Sequence, residues 1–309
     1  VKKEIRCGRA ALWAMLGGCV AGCGTGAAAT GPSLADAASA VDASGDGHTA
    51  EGGADARGED ATDAGQGGSD AASALNPDVA PGGNFDLAVW ELQEPVGSPG
   101  APTTIPPADL EGPSGFHDSY FFTDPTDGAM AFWDPESGVT TPDSTYPRSE
   151  LREMNADGSE ANWPIAGTST LSATVAVTSV PDHVCIGQIH LGTALEAGLT
   201  ASTKPLLELY YYASGEIELG IEDGPAGGQT SHAITSVPLG TKFSYAVTLT
   251  GAGTITLVVA GATSTFPMPS SFDGYGQYFK AGDYDQSVGS DAGVGASVKF
   301  YALQVTHGS

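Results

Sequence analysis

From residue 84 onward the chain alternates. Apolar and polar residues take turns through short segments rich in Val, Ile, Thr and Tyr, at 171–180, 184–191, 206–213, 216–222, 243–250, 254–259 and 298–306. Clusters of Gly, Pro, Asp and Ser separate them. A period of two puts successive side chains on opposite faces of an extended backbone, so each segment predicts a strand with one buried face. No stretch carries a helical stripe of any length; residues 193–199 allow a turn or two at most. Roughly 225 residues of such segments predict an all-β fold, one β-sandwich of two antiparallel sheets packed through their inner faces. No internal repeat is visible.

The pattern is absent upstream. Residues 24–83 consist mainly of Ala, Gly, Ser and Asp, with Leu34, Val41, Leu75 and Val79 as the only large aliphatics and no aromatics. Such a segment buries too little apolar surface to offset its conformational entropy, and it predicts a disordered spacer extended by its acidic residues. Before it, Lys2, Lys3, Arg6 and Arg9 lead into a short apolar run over 10–21. A basic start and a short apolar core predict a secretory signal over 1–23 rather than a membrane span. Val20-Ala21-Gly22-Cys23 resembles a bacterial lipobox, which makes Cys23 the expected lipidation site of a secreted outer-membrane or cell-surface lipoprotein. The only cysteine beyond that region is Cys185, so no intramolecular disulfide is expected and core packing must carry stability.

The net charge of −26 argues against nucleic acid or an anionic membrane surface as a partner. It also makes the basic residues conspicuous. The segment 84–309 holds six: Arg148, Arg152, Lys204, Lys242, Lys280 and Lys299. Two fall in Tyr146-Pro-Arg-Ser-Glu-Leu-Arg-Glu153 and one in Tyr278-Phe-Lys-Ala-Gly-Asp-Tyr-Asp-Gln286. In a strand, residues two apart share a face. Tyr146, Arg148, Glu150 and Arg152 then point one way. In Cys185-Ile-Gly-Gln-Ile-His190, Gln188 and His190 share a face with Ile186, with Cys185 and Ile189 opposite. Tyr278, Lys280 and Tyr284 share a face if the chain does not bulge near Gly282. Adjoining on one sheet, these faces would line a groove; an exposed salt-bridge row would equally account for Arg148, Glu150 and Arg152. His117, His183 and His307 have no evident role. No metal-ligand spacing, nucleotide loop or GxSxG elbow is present.

Arg148-Ser-Glu-Leu-Arg152, Gln188-Ile-His190 and Tyr278-Phe-Lys-Ala-Gly-Asp-Tyr-Asp-Gln286, in that order, resemble the three signature strings of the family 7 polysaccharide lyases, the jelly-roll alginate lyases. The resemblance covers residues 84–309, and residues 84–90 look like the family's first strand. Asp285 stands where the family often has Asn. The resemblance implies a jelly roll with alginate lying across one sheet, cleaved by β-elimination without metal or cofactor, in a monomer. It implies catalytic roles for Arg148, Gln188, His190 and Tyr284, and binding of neighbouring sugars by Arg152, Lys280, Tyr278 and Glu150. Ile189 leans the expectation towards guluronate-containing blocks. A non-catalytic carbohydrate-binding sandwich, or a lyase for another polyuronate such as glucuronan, is the alternative.

Overall fold

The alternating segments become fifteen strands: β1 Trp90–Ser98, β2 Ala101–Ile105, β3 Phe121–Thr123, β4 Met130–Pro135, β5 Ser149–Glu153, β6 Thr168–Ser179, β7 His183–Ala194, β8 Pro205–Tyr212, β9 Glu216–Glu222, β10 Gln229–Ser236, β11 Phe243–Thr250, β12 Thr254–Val259, β13 Ala262–Pro267, β14 Tyr275–Asp285 and β15 Gly295–Gly308. The computed structural model describes residues 74–309, Asp143 excepted. The expected signal at 1–23 and most of the expected spacer at 24–83 lie outside the described residues.

Two antiparallel sheets form. The first runs β10-β9-β8-β7-β14-β5-β1-β2 and the second β13-β12-β11-β6-β15-β4-β3. Their inner faces supply one core, with Leu92, Leu151, Ile189, Leu207, Leu209, Leu219 and Phe279 on the first sheet against Leu171, Val175, Val247, Leu257, Val298 and Phe300 on the second. Each such side chain contributes about 1.5–3 kcal/mol on burial. Across three strands Phe132 packs against Phe121 in a tilted pair and against Phe300 edge to face, with centroids 5.2 and 5.3 Å apart. The expected sandwich is therefore what the alternation builds.

Several expectations shift. Residues 84–89 form turns rather than a first strand, which begins at Trp90. Leu87 and Trp90 are both buried, three positions apart, so burial here does not follow the period of two of a one-faced strand. Residues 193–199 contain no helix: β7 runs to Ala194, Leu195 and Leu199 are exposed, and only a bend and a turn follow at 195–198. The folded unit also starts before Asn84. Leu75 packs against the core, Ala80 is buried with its N–H on the Pro113 carbonyl, and Asn84 Nδ2 donates to the carbonyls of Asn76 and Gly128. Strands β10 and β13 gave little sequence signal because they are sheet edges without a fully buried residue.

Candidate active site

Three central strands of the first sheet bring the three strings together. β14 lies between β7 and β5, with Lys280 paired to Gln188 on one side and Arg152 on the other. Tyr278 pairs with His190 in the next row. Their outward faces line a cleft of about 500 Å³ to which Arg148, Arg152, Gln188, His190, Tyr278, Lys280 and Tyr284 all contribute. Lys204 lines it too, so four of the six basic side chains of 84–309 gather here. The other two lie elsewhere, Lys242 over the Tyr301 ring and Lys299 against Asp124 and Asp127.

The pairing of β14 with β7 slips near Gly282, alternation along β7 fails at Ile186 and Gly187, and both irregularities are part of the site. Between Ala281 and Tyr284 the chain of β14 takes three steps while β7 takes two. Gly282 makes this possible: its φ is +152°, and a Cβ there would stand 2.7 Å from the Glu150 Cα. On β7, Ile186 and Gly187 both turn inward, against β8. The Tyr245 hydroxyl reaches across from β11 and donates to the Ile186 carbonyl at 2.7 Å. Gly187 allows that approach, since a Cβ would meet the hydroxyl at 2.8 Å. This bulge reverses the expected parity upstream. Ile186 joins the core, while Cys185 pairs with Tyr210 and Tyr284 and shares their side of the sheet, buried under the side chains there.

Glu150 departs from its expected role in binding sugar. It is fully buried, and its two oxygens are taken by protein donors. Gln188 Nε2 donates to Oε1 at 2.5 Å, while Lys280 Nζ and Arg148 (3.3 Å) share Oε2. Glu150 thus anchors three groups that face the cleft and offsets two cations that would otherwise repel. Against burial, the largest influence, Glu150 holds Arg148 firmly charged. Lys280 is brought down to about 8 by burial and by Arg148, opposed by Glu150.

His190 and Tyr284 are set up differently. His190 Nδ1 lies 2.9 Å from the Leu191 carbonyl, which can only accept, so Nδ1 carries the proton and Nε2 offers its lone pair. Its ring stacks on Tyr278 with centroids 5.0 Å apart. Burial and the neighbouring Lys280 push its pKa down to about 3, so the ring is neutral at ordinary pH. The Tyr284 ring lies 3.8 Å beneath the Arg148 guanidinium. Burial nevertheless raises the phenol pKa, outweighing Arg148. The resting group is therefore the phenol.

Ser144 escaped sequence reasoning. Its Oγ donates to the Tyr146 carbonyl at 2.8 Å and so must accept from the Tyr284 hydroxyl at 3.0 Å. Its position beside Tyr284 comes from a loop that no local pattern identifies. Arg152 stacks on Tyr278 at 4.2 Å and pairs with Glu160 at the cleft margin, within reach of a sugar further along. His307 also finds a partner. Its Nε2 meets Glu153 at 2.6 Å, and Glu153 accepts from Trp163 Nε1 and the Phe279 N–H, tying β15 to β5 and β14. Asp285 points away from Tyr284, into the interior.

A family model described as alginate lyase matches residues 85–307. An alginate lyase of Klebsiella pneumoniae is 30% identical, over 74% of this chain and 92% of that protein. The crystal structure of alginate lyase A1-II′, described as a member of polysaccharide lyase family 7, superposes with a TM-score of 0.65 at 33% identity, covering 74% of this chain and 99% of that one. The alginate lyase of Pseudomonas aeruginosa superposes with 0.64 at 29% identity, over 72% and 99%. Variant forms of A1-II′ have been solved with a product written GGG and a substrate written GGMG.

Proposed function

Since the chain belongs to the alginate lyases of polysaccharide lyase family 7, polysaccharide lyases with a jelly-roll fold, we propose that it cleaves 4-linked uronates of alginate by metal-independent β-elimination, leaving an unsaturated non-reducing end. The observation that carries this reading is the convergence of Arg148, Gln188, His190 and Tyr284 on one cleft.

The C5 proton of a uronate is barely acidic while the adjacent carboxylate is ionised. Neutralising that carboxylate, and the enolate-like charge that follows, is the main electrostatic task, suited to donors already in place. Arg148 supplies a bidentate cation and Gln188 an amide whose second N–H is left free by Glu150. The neutral His190 takes the C5 proton through Nε2, and Tyr284 gives its phenol proton to the departing O4. Ser144 holds that proton in readiness without competing for it as a donor.

The same two side chains favour one stereochemistry. In guluronate the C5 proton and O4 lie on opposite sides, matching a base and an acid that are separate groups. Mannuronate requires both steps on one side, by Tyr284 alone. The raised phenol pKa works against that route, because it demands the phenolate first. A preference for guluronate-containing blocks follows, and the GGG and GGMG ligands of A1-II′ are in keeping with it.

The test is ultraviolet absorbance of new unsaturated ends, using polyguluronate, polymannuronate and mixed alginate, with and without chelator. Absorbance should rise fastest on guluronate-containing chains, ignore the chelator, and fall by about a thousandfold in Tyr284→Phe. A flat trace on all three from folded protein would direct the assignment to another polyuronate. Loss of the signal with chelator would end the metal-independent reading.

A further inference from the structure

The row of side chains through Lys280 and Gln188 continues onto β8 at Glu208, which pairs with Gln188, and meets only Gly220 on β9. Directly opposed residues in an antiparallel ladder hold their Cβ atoms about 5 Å apart. Glu208 therefore stands beside the amide assigned above to the uronate carboxylate, and it lines the same cleft. A carboxyl group in this position faces a polyanionic substrate. Its hydrogen bonds are lopsided: the Tyr210 hydroxyl (2.5 Å) and Gln229 Nε2 (2.9 Å) both donate to Oε2. Among the described residues none binds Oε1, which is also absent from the enclosed polar atoms that lack partners. That oxygen is open to the cleft.

We propose that Glu208 makes substrate binding proton-linked: as the neutral acid, its open oxygen donates a hydrogen bond to the carboxylate of the sugar beside Gln188, and as the anion it repels that carboxylate. Each chain bound there then holds one proton on Glu208. The inference rests on the elimination reading and adds to it the group that sets affinity at that subsite.

The surroundings favour the neutral form. The titratable groups around Glu208 are Tyr210 on its own strand, Cys185 on β7, Glu222 on β9, Glu150 and the charged Arg148 from β5 and its approach, and Tyr284 and Lys280 on β14, with Lys204 ahead of β8 in the same cleft. From β10 comes only the uncharged Gln229. Burial raises the carboxyl pKa, its hydrogen bonds from Tyr210 and Gln229 oppose this, and repulsion from Glu150 adds to the rise. A raised pKa means that the proton is retained to higher pH than in an exposed glutamate, and affinity falls once it is lost.

The test is KM and kcat for polyguluronate across pH 4.5 to 7, below the ionisation of Lys280, in the wild type, Glu208→Gln and Glu222→Gln. In the wild type KM should climb with pH, approaching about tenfold per unit above the ionisation. Glu208→Gln cannot ionise and keeps an acceptor for Tyr210; its KM should stay flat within about twofold, with the effect on KM rather than kcat. Glu222→Gln should keep the slope. A slope surviving in Glu208→Gln, a slope lost equally in Glu222→Gln, or a wild-type KM indifferent to pH overturns the inference. No elimination by the wild type at any pH would instead overturn the reading beneath it.

Discussion

Glu150 shows how one side chain can organise a site it does not expose. Removing it would leave Arg148 and Lys280 facing each other in a buried setting and release Gln188. Glu150→Ala should cost about 3 kcal/mol or more of stability in urea unfolding, as for other broken buried charge pairs. It should also lower kcat/KM by about a hundredfold, because the donors lose their aim. Wild-type stability together with wild-type kcat/KM would show that the three groups hold themselves. The sequence strings supplied the cleft's Arg148, Gln188, His190 and Tyr284 but misjudged Glu150, since parity gives a residue's side and not the crowding of longer neighbours above it. Glu208 was unreadable for another reason. In Leu206-Leu-Glu-Leu-Tyr210 it resembles any solvent-facing strand glutamate, and only the pairing of β8 with β7 places it beside Gln188.

At the scale of elements, the regular strands of the core were visible wherever a buried face imposed a period of two. β9, β11 and β12 carry the predicted bounds. The irregularity near Gly282 was flagged by its glycine, but the bulge at Ile186 and Gly187 was not visible, because Cys185-Ile-Gly-Gln-Ile-His190 reads equally well as unbroken alternation. One contact between elements makes a prediction about stability. Asp283 on β14 is fully buried with both oxygens unpartnered, near Asp134 on β4, whose Oδ1 is also unpartnered. Burial raises both carboxyls well above their usual range; repulsion from Asp134 and Asp285 adds to the rise at Asp283, and repulsion from Asp285 adds to the rise at Asp134. The folded state thus holds protons that the unfolded chain releases, so stability falls as pH rises above the ordinary carboxylate range. Asp283→Asn should raise Tm at pH 8, by about 2–4 °C for each kcal/mol recovered, and raise it less at pH 5. Calorimetry showing equal gains at both values would mean that no proton is held there.

Over the whole molecule, charge is divided unevenly. A chain of net charge −26 gathers four cationic side chains at one cleft and faces a substrate of its own sign. Long-range repulsion is screened over about 10 Å at 0.1 M salt, whereas contacts within the cleft are screened much less. Raising salt from about 0.01 to 0.1 M should therefore lower KM for polymeric alginate, with a smaller effect on short oligosaccharides. Steady-state assays in which KM rises monotonically from the lowest salt would instead make attraction by the cleft the dominant long-range force. Acidity and basic clustering could both be counted in the sequence; that they meet at one surface required the sheet.

The paired inward turn at Ile186 and Gly187 leaves β7 as two half-strands in opposite phase, joined where the Tyr245 hydroxyl grips the Ile186 carbonyl. Such a joint isolates errors of length. A residue gained or lost upstream would be absorbed between His183 and Cys185, with Gln188 and His190 left facing the cleft. The same change downstream would turn both of them into the core. Tolerance to insertion and deletion is thus sharply unequal along a single strand of twelve residues.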